Sequence, residues 1–285
     1  MNLYQETKFI MNKYNVTANK NYGQNFLTDE YIVNSIIDNS SITKEDLVIE
    51  VGPGLGTLTK YLIESAGHTI SVELDPKMIT VLKDRFSLYD NFTLLHDDIL
   101  KVDLNTLIEN TLKEKNLKKA KVVANLPYYI TTPIIMKLLE EKLNLDSITV
   151  MVQKEVAERL SAVPGKNNTG AIKYTIWYYT EPEIILEVPK ESFVPSPKVD
   201  SAVLKLNVLK SPSVDIENEE LFFKVIKAGF MQKRKTLLNS LSNSNIASKD
   251  ILEKMLINLN IDLKIRAENL SLNDFKNITE YLDKK

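Results

Sequence analysis

The sequence predicts an α/β fold with a mostly parallel sheet, followed by a smaller all-helical domain. Three observations support this prediction. Strand and helix patterns alternate from Leu47 onward, the apolar runs are short and continuous as in strands buried on both faces, and only helical patterns follow residue 208. We therefore expect two domains, residues 1–207 and 208–285, with a polar connector, SPSVDIENEE, at the start of the second.

The elements of the first domain follow one another in the order expected for βα units. The predicted strands are LVIEV, HTISVEL, NFTLLHDD, KVVANL, SITVMVQ, AIKYTIWYY, EIILEVP and VDSAVLKLNVL. Helical patterns separate the first five strands, and the final strands can pair as an antiparallel hairpin. Residues 1–20 are predicted to form a short helix or a mobile tail, and the second domain contains helical patterns at 221–241, 250–260 and 270–282.

Composition excludes several kinds of site. The chain of 285 residues is 44% hydrophobic, which is enough for a large core, and it has no cysteine. A disulfide framework, an iron–sulfur cluster and a thiol nucleophile are therefore excluded. The two histidines, His68 and His96, are too far apart for a local zinc motif, so we expect no metal site. No signal peptide or membrane-spanning stretch is recognisable, which predicts a cytoplasmic protein without membrane contact.

Charge is distributed unevenly along the chain. The net charge of −2 is low for a nucleic-acid binder, but residues 205–285 carry 14 Lys and Arg against 11 Asp and Glu. Basic residues cluster at 112–121 and at 224–235. The first cluster is more simply a solvated helix face, whereas the second is a candidate contact for phosphate groups.

A glycine-rich loop follows the first predicted strand, in the segment EVGPGLGTLT at 50–59. It contains Gly52, Gly54 and Gly56, three of only eight glycines in the chain. Glycines between a strand and a helix let main-chain amides approach a ligand closely. The spacing differs from the G-x-G-x-x-G of dinucleotide sites, so a pyrophosphate clamp fits poorly. A simple strand-to-helix turn is the alternative.

Acidic residues end the next two strands. Glu73 lies 21 residues beyond Gly52, about the separation at which an acid at a strand end accepts hydrogen bonds from both ribose hydroxyls. Asp98 ends the third strand and is a candidate acceptor for the amine of an adenine. Asp97 competes for that role. Together with the glycine loop, these acids favour a nucleoside site.

The segment NLPYY follows the fourth strand and has a chemical rationale if the nucleophile is an exocyclic amine. The Asn125 side-chain oxygen and the Leu126 carbonyl could accept both N–H bonds of such an amine and direct its lone pair. Pro127 would fix the main chain, and Tyr128 could stack on the base. No general base is needed, since the proton can leave after the nitrogen becomes cationic. The alternative is a strand exit with tyrosines packed in the core.

A stiff loop, FVPSPKVDSAV at 193–203, contains an aromatic residue, two prolines and an acid. The prolines limit its freedom, so Phe193 could form the second side of a base sandwich. Alternatively, Phe193 is buried in a rigid turn. The motifs together indicate transfer of a small group from a nucleoside-containing donor to a nucleobase.

These motifs resemble the ribosomal RNA adenine dimethylases, which are S-adenosylmethionine-dependent enzymes. The similar segments are GQNFL at 23–27, EVGPGLGTLT, VELD at 72–75, HDDIL at 96–100, NLPYYITTPII, QKEVAERL at 153–160 and FVPSPKVDSAV. The resemblance implies a class I, Rossmann-like methyltransferase fold with a seven-stranded sheet. It also implies two adjacent adenosines near the 3′ end of 16S rRNA in the small ribosomal subunit as the target. We expect a monomer with a role in subunit biogenesis.

Residue roles follow from the resemblance. It implies that the donor, S-adenosylmethionine, is bound by Asn25, Leu27, Gly52, Glu73, Asp98 and Asn125. It implies that the target amine is served by Asn125, Leu126, Pro127 and Tyr128, with Phe193 as a stacking partner. The helical domain 208–285 corresponds to an RNA-binding domain in which Lys233, Arg234 and Lys235 are candidates for phosphate contacts.

Three other functions stay open from the sequence. A 23S rRNA adenine methyltransferase that confers macrolide resistance shares the first motifs, but FVPSPKVDSAV is typical of the small-subunit enzymes. An assembly factor with a mainly non-catalytic role is compatible with the same motifs. A dinucleotide oxidoreductase lacks the required glycine spacing.

Overall fold

The computed structural model describes residues 1–19, 22–165, 170–232 and 234–284, and internal contacts divide the chain into two units. Unit 1 comprises Met1–Ala157 and Pro182–Val208, and unit 2 comprises Glu158–Glu181 and Leu209–Lys285. The chain passes into unit 2 for the last time after Val208. Residues 158–181, which the sequence predicts in the first domain, belong instead to unit 2, so a single boundary does not describe the division.

The central sheet confirms the mostly parallel arrangement. Its described strands lie in the order β4-β3-β2-β5-β6-β9-β7. Strands β2 to β6 pair with their neighbours in parallel, and β9 runs antiparallel to β6. The bounds are β2 (Asp46–Val51), β3 (His68–Glu73), β4 (Phe92–His96), β5 (Lys119–Asn125), β6 (Leu145–Gln153), β7 (Thr180–Val188) and β9 (Ser201–Val208).

Several helices of unit 1 begin at residues whose side chains cap them. Asp29 accepts hydrogen bonds from the first turn of its helix, and Asp75 does the same ahead of Pro76, which occupies the first helical turn. Apolar faces of these helices pack on the sheet and form the core. The bounds are α1 (Leu3–Lys13), α2 (Glu30–Ser40), α3 (Thr57–Ser65), α4 (Pro76–Phe86), α5 (Leu104–Lys115), α6 (Thr131–Glu140) and α7 (Lys154–Ser161), the last of which crosses from unit 1 into unit 2.

The N-terminal segment is a helix fixed to the glycine loop. Asn2 and Gln5 form a capping box at the start of α1. The Arg85 guanidinium forms an ion pair with Glu6 at 2.7 Å and also donates to the Leu55 carbonyl within the loop. One half-buried cation therefore connects α1 to the loop that follows β2.

Two very short strands, β1 (Phe26–Leu27) and β8 (Phe193–Val194), form a separate antiparallel pair. Leu27 lies opposite Phe193 in this pair. Two residues are too few to show an alternating pattern, so the sequence predicts only a turn and a loop there. The pair brings the segments GQNFL and FVPSPKVDSAV together.

One predicted strand is wrong. The segment AIKYTIWYY contains α8 (Ile172–Tyr179), not a strand. Tyr174 and Tyr178 are four residues apart, and both are buried in the core of unit 2. The Tyr174 hydroxyl donates to the carbonyls of Ala267 and Leu270 at 3.0 and 2.7 Å. Packing on one helical face therefore overrides the strand preference of β-branched and aromatic residues.

The remaining helices of unit 2 surround this core, with bounds α9 (Glu219–Phe230), α10 (Leu237–Asn243), α11 (Lys249–Asn258) and α12 (Leu272–Asp283). The helix predicted at 221–241 is interrupted, because Thr236 caps a new helix through the Asn239 N–H. Arg234 and Lys235 consequently lie between two helices. None of the helices in the described segments has both the length and the apolar character needed to cross a membrane.

Candidate active site

The carboxyl ends of β2, β3, β4 and β5 open into one cleft. Parallel strands end at the same edge of a sheet, and the strand order reverses between β2 and β5, where ligands bind in open α/β sheets. The cleft measures about 1050 Å³, including its solvent-open mouth. It is lined by Tyr22, Gly23, Gln24, Asn25, Phe26, Leu27, Glu50, Val51, Gly52, Pro53, Gly54, Thr57, Leu58, Val72, Glu73, Leu74, Asp97, Asp98, Ile99, Asn125, Leu126, Pro127, Tyr128, Tyr129, Ile130 and Ile134.

The glycine loop forms one wall of this cleft. Gly52 and Gly54 have φ angles of +66° and +57°, a region that side chains rarely adopt. A β-carbon on Gly54 would lie 3.1 Å from the Phe26 ring, and one on Gly52 would lie 3.8 Å from Pro127 Cδ. The two motifs EVGPGLGTLT and NLPYY therefore face each other closely.

Glu73 is buried in the cleft wall and held by three main-chain N–H groups. Its Oε1 accepts from Leu74 and Asp75 at 2.8 Å each, and its Oε2 accepts from Gly54 at 3.1 Å. Burial raises the pKa of Glu73, and the three hydrogen bonds partly oppose that rise. An ionised carboxylate has about four lone-pair positions, so Oε2 retains capacity for about one further hydrogen bond.

A second buried acid, Glu50, lies beneath the same cleft. Its side chain is 1% exposed, and its Oε2 accepts from Ser71 at 2.6 Å and Thr59 at 2.7 Å. Burial raises the pKa of Glu50 to about 7, although both hydroxyl hydrogen bonds act in the opposite direction. Sequence reasoning assigned Glu50 no role. An acid at the end of an otherwise apolar strand, directly before a glycine loop, was the available signal.

Asp97 and Asp98 both line the cleft after β4. Asp97 is exposed, and its Oδ1 accepts from the Asp98 N–H at 2.7 Å. Asp98 is half-buried, and its Oδ1 accepts from the Leu100 N–H at 3.0 Å. Asp98 is therefore the less exposed of the two carboxylates, but the choice between them as an adenine acceptor stays a prediction.

Asn125 ends β5 and faces the cleft. Its Nδ2 donates to the Asn25 main-chain carbonyl at 3.2 Å, and the Asn25 side chain in turn donates to the Gly23 carbonyl at 3.2 Å. Because the amide nitrogen is occupied by a main-chain acceptor, the amide oxygen is the group left to accept a hydrogen bond from a ligand. The segment GQNFL thus orients the residue at the end of β5.

The residues after Asn125 form a tight turn. The Leu126 N–H donates to the Met151 carbonyl at 3.1 Å, which ties the turn to β6, and Ile130 donates to the Pro127 carbonyl at 3.2 Å. Within the described residues, the Leu126 carbonyl accepts no hydrogen bond. The Asn125 amide oxygen and this carbonyl are therefore both available to accept the two N–H bonds of one amine.

Tyr128 is linked to the start of β9. Its hydroxyl lies 2.6 Å from Ser201 Oγ, and burial raises the pKa of this phenol. Ser201 belongs to the segment FVPSPKVDSAV, so this hydrogen bond connects two of the predicted motifs. The contact fixes the orientation of the Tyr128 ring at the cleft.

Phe193 does not line the cleft. Its side chain is 3% exposed and packs in a core cluster with Leu27, Met151 and Val203. The interpretation of a rigid turn with Phe193 buried describes this arrangement, because pairing of β1 with β8 turns the ring into the core. A stacking role for Phe193 would require the ring to leave that cluster.

The other predicted site residues lie in both units. Asn25, Leu27, Gly52, Glu73, Asp98, Asn125, Leu126, Pro127 and Tyr128 all line the cleft in unit 1. Arg234 and Lys235 are exposed in unit 2, and Lys233 lies outside the described residues. Gln24 was not predicted, although it lines the cleft and donates to Asp75 at 2.9 Å. The part of the chain described here brings together no metal-binding group of His, Asp and Glu side chains.

Comparisons with known proteins identify the family of this chain. The family model for ribosomal RNA adenine dimethylase matches residues 15–284. A ribosomal RNA small subunit methyltransferase A from Alkaliphilus oremlandii is 43% identical over 282 residues, covering 99% of this chain and 97% of the relative. The protein of the same name from Clostridium botulinum (strain Kyoto / Type A2) is 47% identical over 274 residues, covering 96% of this chain and 97% of the relative.

Solved structures support the class I methyltransferase fold. A dimethyladenosine transferase from Plasmodium falciparum aligns with a TM-score of 0.76 at 26% identity, covering 91% of this chain and 98% of that structure. The 23S rRNA methyltransferase ErmE aligns with a TM-score of 0.70 at 22% identity, covering 91% of this chain and all of that structure, which supports the fold alone. The chain therefore belongs to the ribosomal RNA adenine dimethylase family.

Proposed function

We propose that this protein transfers methyl groups from S-adenosylmethionine to N6 of two adjacent adenosines in the hairpin near the 3′ end of 16S rRNA, giving N6,N6-dimethyladenosines. One observation carries the proposal: Asn125, with its amide nitrogen bound to the Asn25 carbonyl, shares a cleft with Glu73 and the glycine loop. The names of the relatives support the small-subunit target. A role in small-subunit biogenesis follows from this target.

The residues of the cleft fit the donor. A buried carboxylate held by three N–H groups, as at Glu73, is suited to accept a ribose hydroxyl, and the missing side chain at Gly52 leaves space beside Pro127. When bound, S-adenosylmethionine supplies a methyl group on a positively charged sulfur that a nitrogen lone pair can attack. We propose that the donor is held by Asn25, Leu27, Gly52, Glu73, Asp98 and Asn125.

The acceptor side of the cleft positions the adenine amine. The Asn125 amide oxygen and the Leu126 carbonyl accept its two N–H bonds, which directs the lone pair and stabilises the positive charge that develops on N6. Tyr128, fixed by Ser201, stacks on the base. No side chain needs to remove a proton before attack, because the methylated nitrogen is acidic and releases its proton afterwards. Catalysis in this proposal consists of orientation and charge stabilisation.

RNA contacts outside the cleft are proposed for the helical unit. Arg234 and Lys235 are exposed between α9 and α10, where their charges are accessible to phosphate groups, and Lys233 is the third candidate in sequence. We also propose that the protein acts as a monomer. Small ribosomal subunits as the substrate imply a cytoplasmic site of action.

The function is tested by incubating the protein with methyl-labelled donor and small subunits that lack the modification. We expect label on two adjacent adenosines near the 3′ end of 16S rRNA, identified by nuclease digestion and mass spectrometry. Label on 23S rRNA instead would favour the resistance methyltransferase. Absence of label, together with stable binding to immature subunits, would favour a non-catalytic assembly factor.

The raised pKa of Glu50 predicts that the affinity for the donor depends on pH. The ionised carboxylate attracts the cationic donor, and its pKa is about 7, so affinity should rise as the pH increases through 7. Glu50→Gln should bind the donor weakly and lose most of this rise, as measured by calorimetry between pH 6 and pH 8. Glu73, whose pKa is also raised, remains in the variant and controls for a second titration. An unchanged pH profile would contradict the assignment.

The Glu50 carboxyl group also makes the free energy of unfolding depend on pH. This effect has the opposite sign, because stability falls as the pH rises. The folded-state pKa is raised from 4.5, so the folded protein binds this proton more tightly than the unfolded chain. The free energy of unfolding contributed by Glu50 is therefore lost as the pH rises from about 4.5 to about 7. We expect Glu50→Gln to raise the melting temperature more at pH 8 than at pH 5.

A further inference from the structure

We propose that Tyr129 is a stacking surface for the nucleobase next to the target adenosine, in the same loop of the RNA. The inference rests on the proposed function, since it requires an RNA substrate with an unstacked base in the cleft. It concerns the second tyrosine of NLPYY, which has no role in the proposed binding of the donor or of the target amine.

The turn after Pro127 sends its two tyrosines in different directions. Tyr128 is directed to Ser201 at the start of β9, whereas Tyr129 remains 59% exposed at the edge of the cleft. The hydrogen bond from Ile130 to the Pro127 carbonyl fixes both positions at once. One short turn therefore presents one ring to the target base and a second ring to the surface beside it.

The Tyr129 ring is supported from below by main chain. A β-carbon on Gly23 would lie 3.2 Å from Tyr129 Cδ1 and 3.5 Å from Cε1, so the ring packs directly against this glycine. Gly23 has a φ angle of +60°, which disfavours a side chain there. A ring that is already held in place loses little conformational entropy when a base stacks on it.

Charge favours stacking over phosphate binding at this rim. The lining of the cleft contains the acids Glu50, Glu73, Asp97 and Asp98 and, among the described residues, no lysine or arginine. An RNA backbone would be repelled there, whereas a base can stack on an aromatic ring without a charged partner. Two adjacent adenosines are the proposed targets, so each target has a purine neighbour that must also leave its stack or be accommodated nearby.

The experiment compares three variants with the wild type on unmethylated small subunits. Tyr129→Ala should raise the KM for subunits about tenfold with donor affinity unchanged, and Tyr129→Phe should resemble the wild type because it keeps the ring. Tyr31→Ala is the matched control, since Tyr31 is 75% exposed on α2 and does not line the cleft. The Tyr129→Ala effect should persist at higher salt, because stacking is not screened.

The outcomes separate this inference from the proposed function. A KM for Tyr129→Ala equal to that of Tyr31→Ala would overturn it, and so would a loss of donor affinity as large as the change in KM. If Tyr129→Phe is as impaired as Tyr129→Ala, the hydroxyl and not the ring is used, and stacking is refuted. Failure of the wild type to label adjacent adenosines would instead refute the proposed function itself.

Discussion

Asn125→Ala is expected to lower the rate of methyl transfer by about 10²- to 10³-fold, with a much smaller change in donor affinity. The substitution removes the amide oxygen that accepts a hydrogen bond from the target amine and stabilises its developing charge. It also removes the hydrogen bond from Nδ2 to the Asn25 carbonyl, which lies at the protein surface of the cleft and not in the core. The loss should therefore appear in kcat, since the interaction strengthens as the nitrogen becomes cationic.

Single-turnover kinetics with saturating donor would measure this effect directly, and calorimetry would give donor affinity. Asn110→Ala is a suitable control, because Asn110 is exposed on α5 and does not line the cleft. Asn125→Asp would retain an oxygen but place a carboxylate next to the Asn25 carbonyl, so it should also be impaired. Turnover by Asn125→Ala within a few-fold of the wild type would refute the mechanism.

The local sequence pattern predicted the repeated strand–helix units of the fold. The continuous apolar runs and capping residues placed the five parallel strands, because each buried strand is followed by its own helix signal. The positions of Glu73, Asp98 and Asn125 in one cleft follow from the same pattern. All three come at or just beyond the carboxyl ends of parallel strands, and such ends meet at one edge of the sheet.

Long-range packing decided what the sequence did not predict. The segment that forms α8 has a composition typical of a strand. It is helical because Tyr174 and Tyr178 pack on one face in the core of unit 2. In the sequence, Phe193 is a candidate for stacking on a base. Pairing of β8 with β1 places its ring in the core instead. Tyr129 is 59% exposed, whereas its neighbour Tyr128 hydrogen-bonds to Ser201, a residue 73 positions away, and neither environment follows from the local sequence.

Glu73 provides the second large expected effect, on donor affinity. Replacing it with Ala should weaken binding by about 10- to 100-fold, since a hydrogen bond to a charged acceptor contributes about 1.5–3 kcal/mol. That variant also leaves the N–H groups of Gly54, Leu74 and Asp75 without their acceptor, so its stability should fall as well. Glu73→Gln keeps the size of the side chain and one of its oxygens. Comparing the melting temperatures of the two variants therefore separates a loss of donor binding from a loss of stability. Glu109→Ala, an exposed acid on α5, is the control.

The geometry of the carboxylate makes this prediction more specific. Oε1 already accepts two main-chain hydrogen bonds and Oε2 accepts one, so only Oε2 can take a ribose hydroxyl without losing a protein partner. Removing the 2′- or the 3′-hydroxyl from the donor should therefore have unequal effects on wild-type affinity, and Glu73→Gln should abolish the difference. Equal losses for the two deoxy donors would mean that the Gly54 N–H is displaced when ribose binds. Equal affinity of wild type and Glu73→Gln for the intact donor would remove Glu73 from the ribose site altogether.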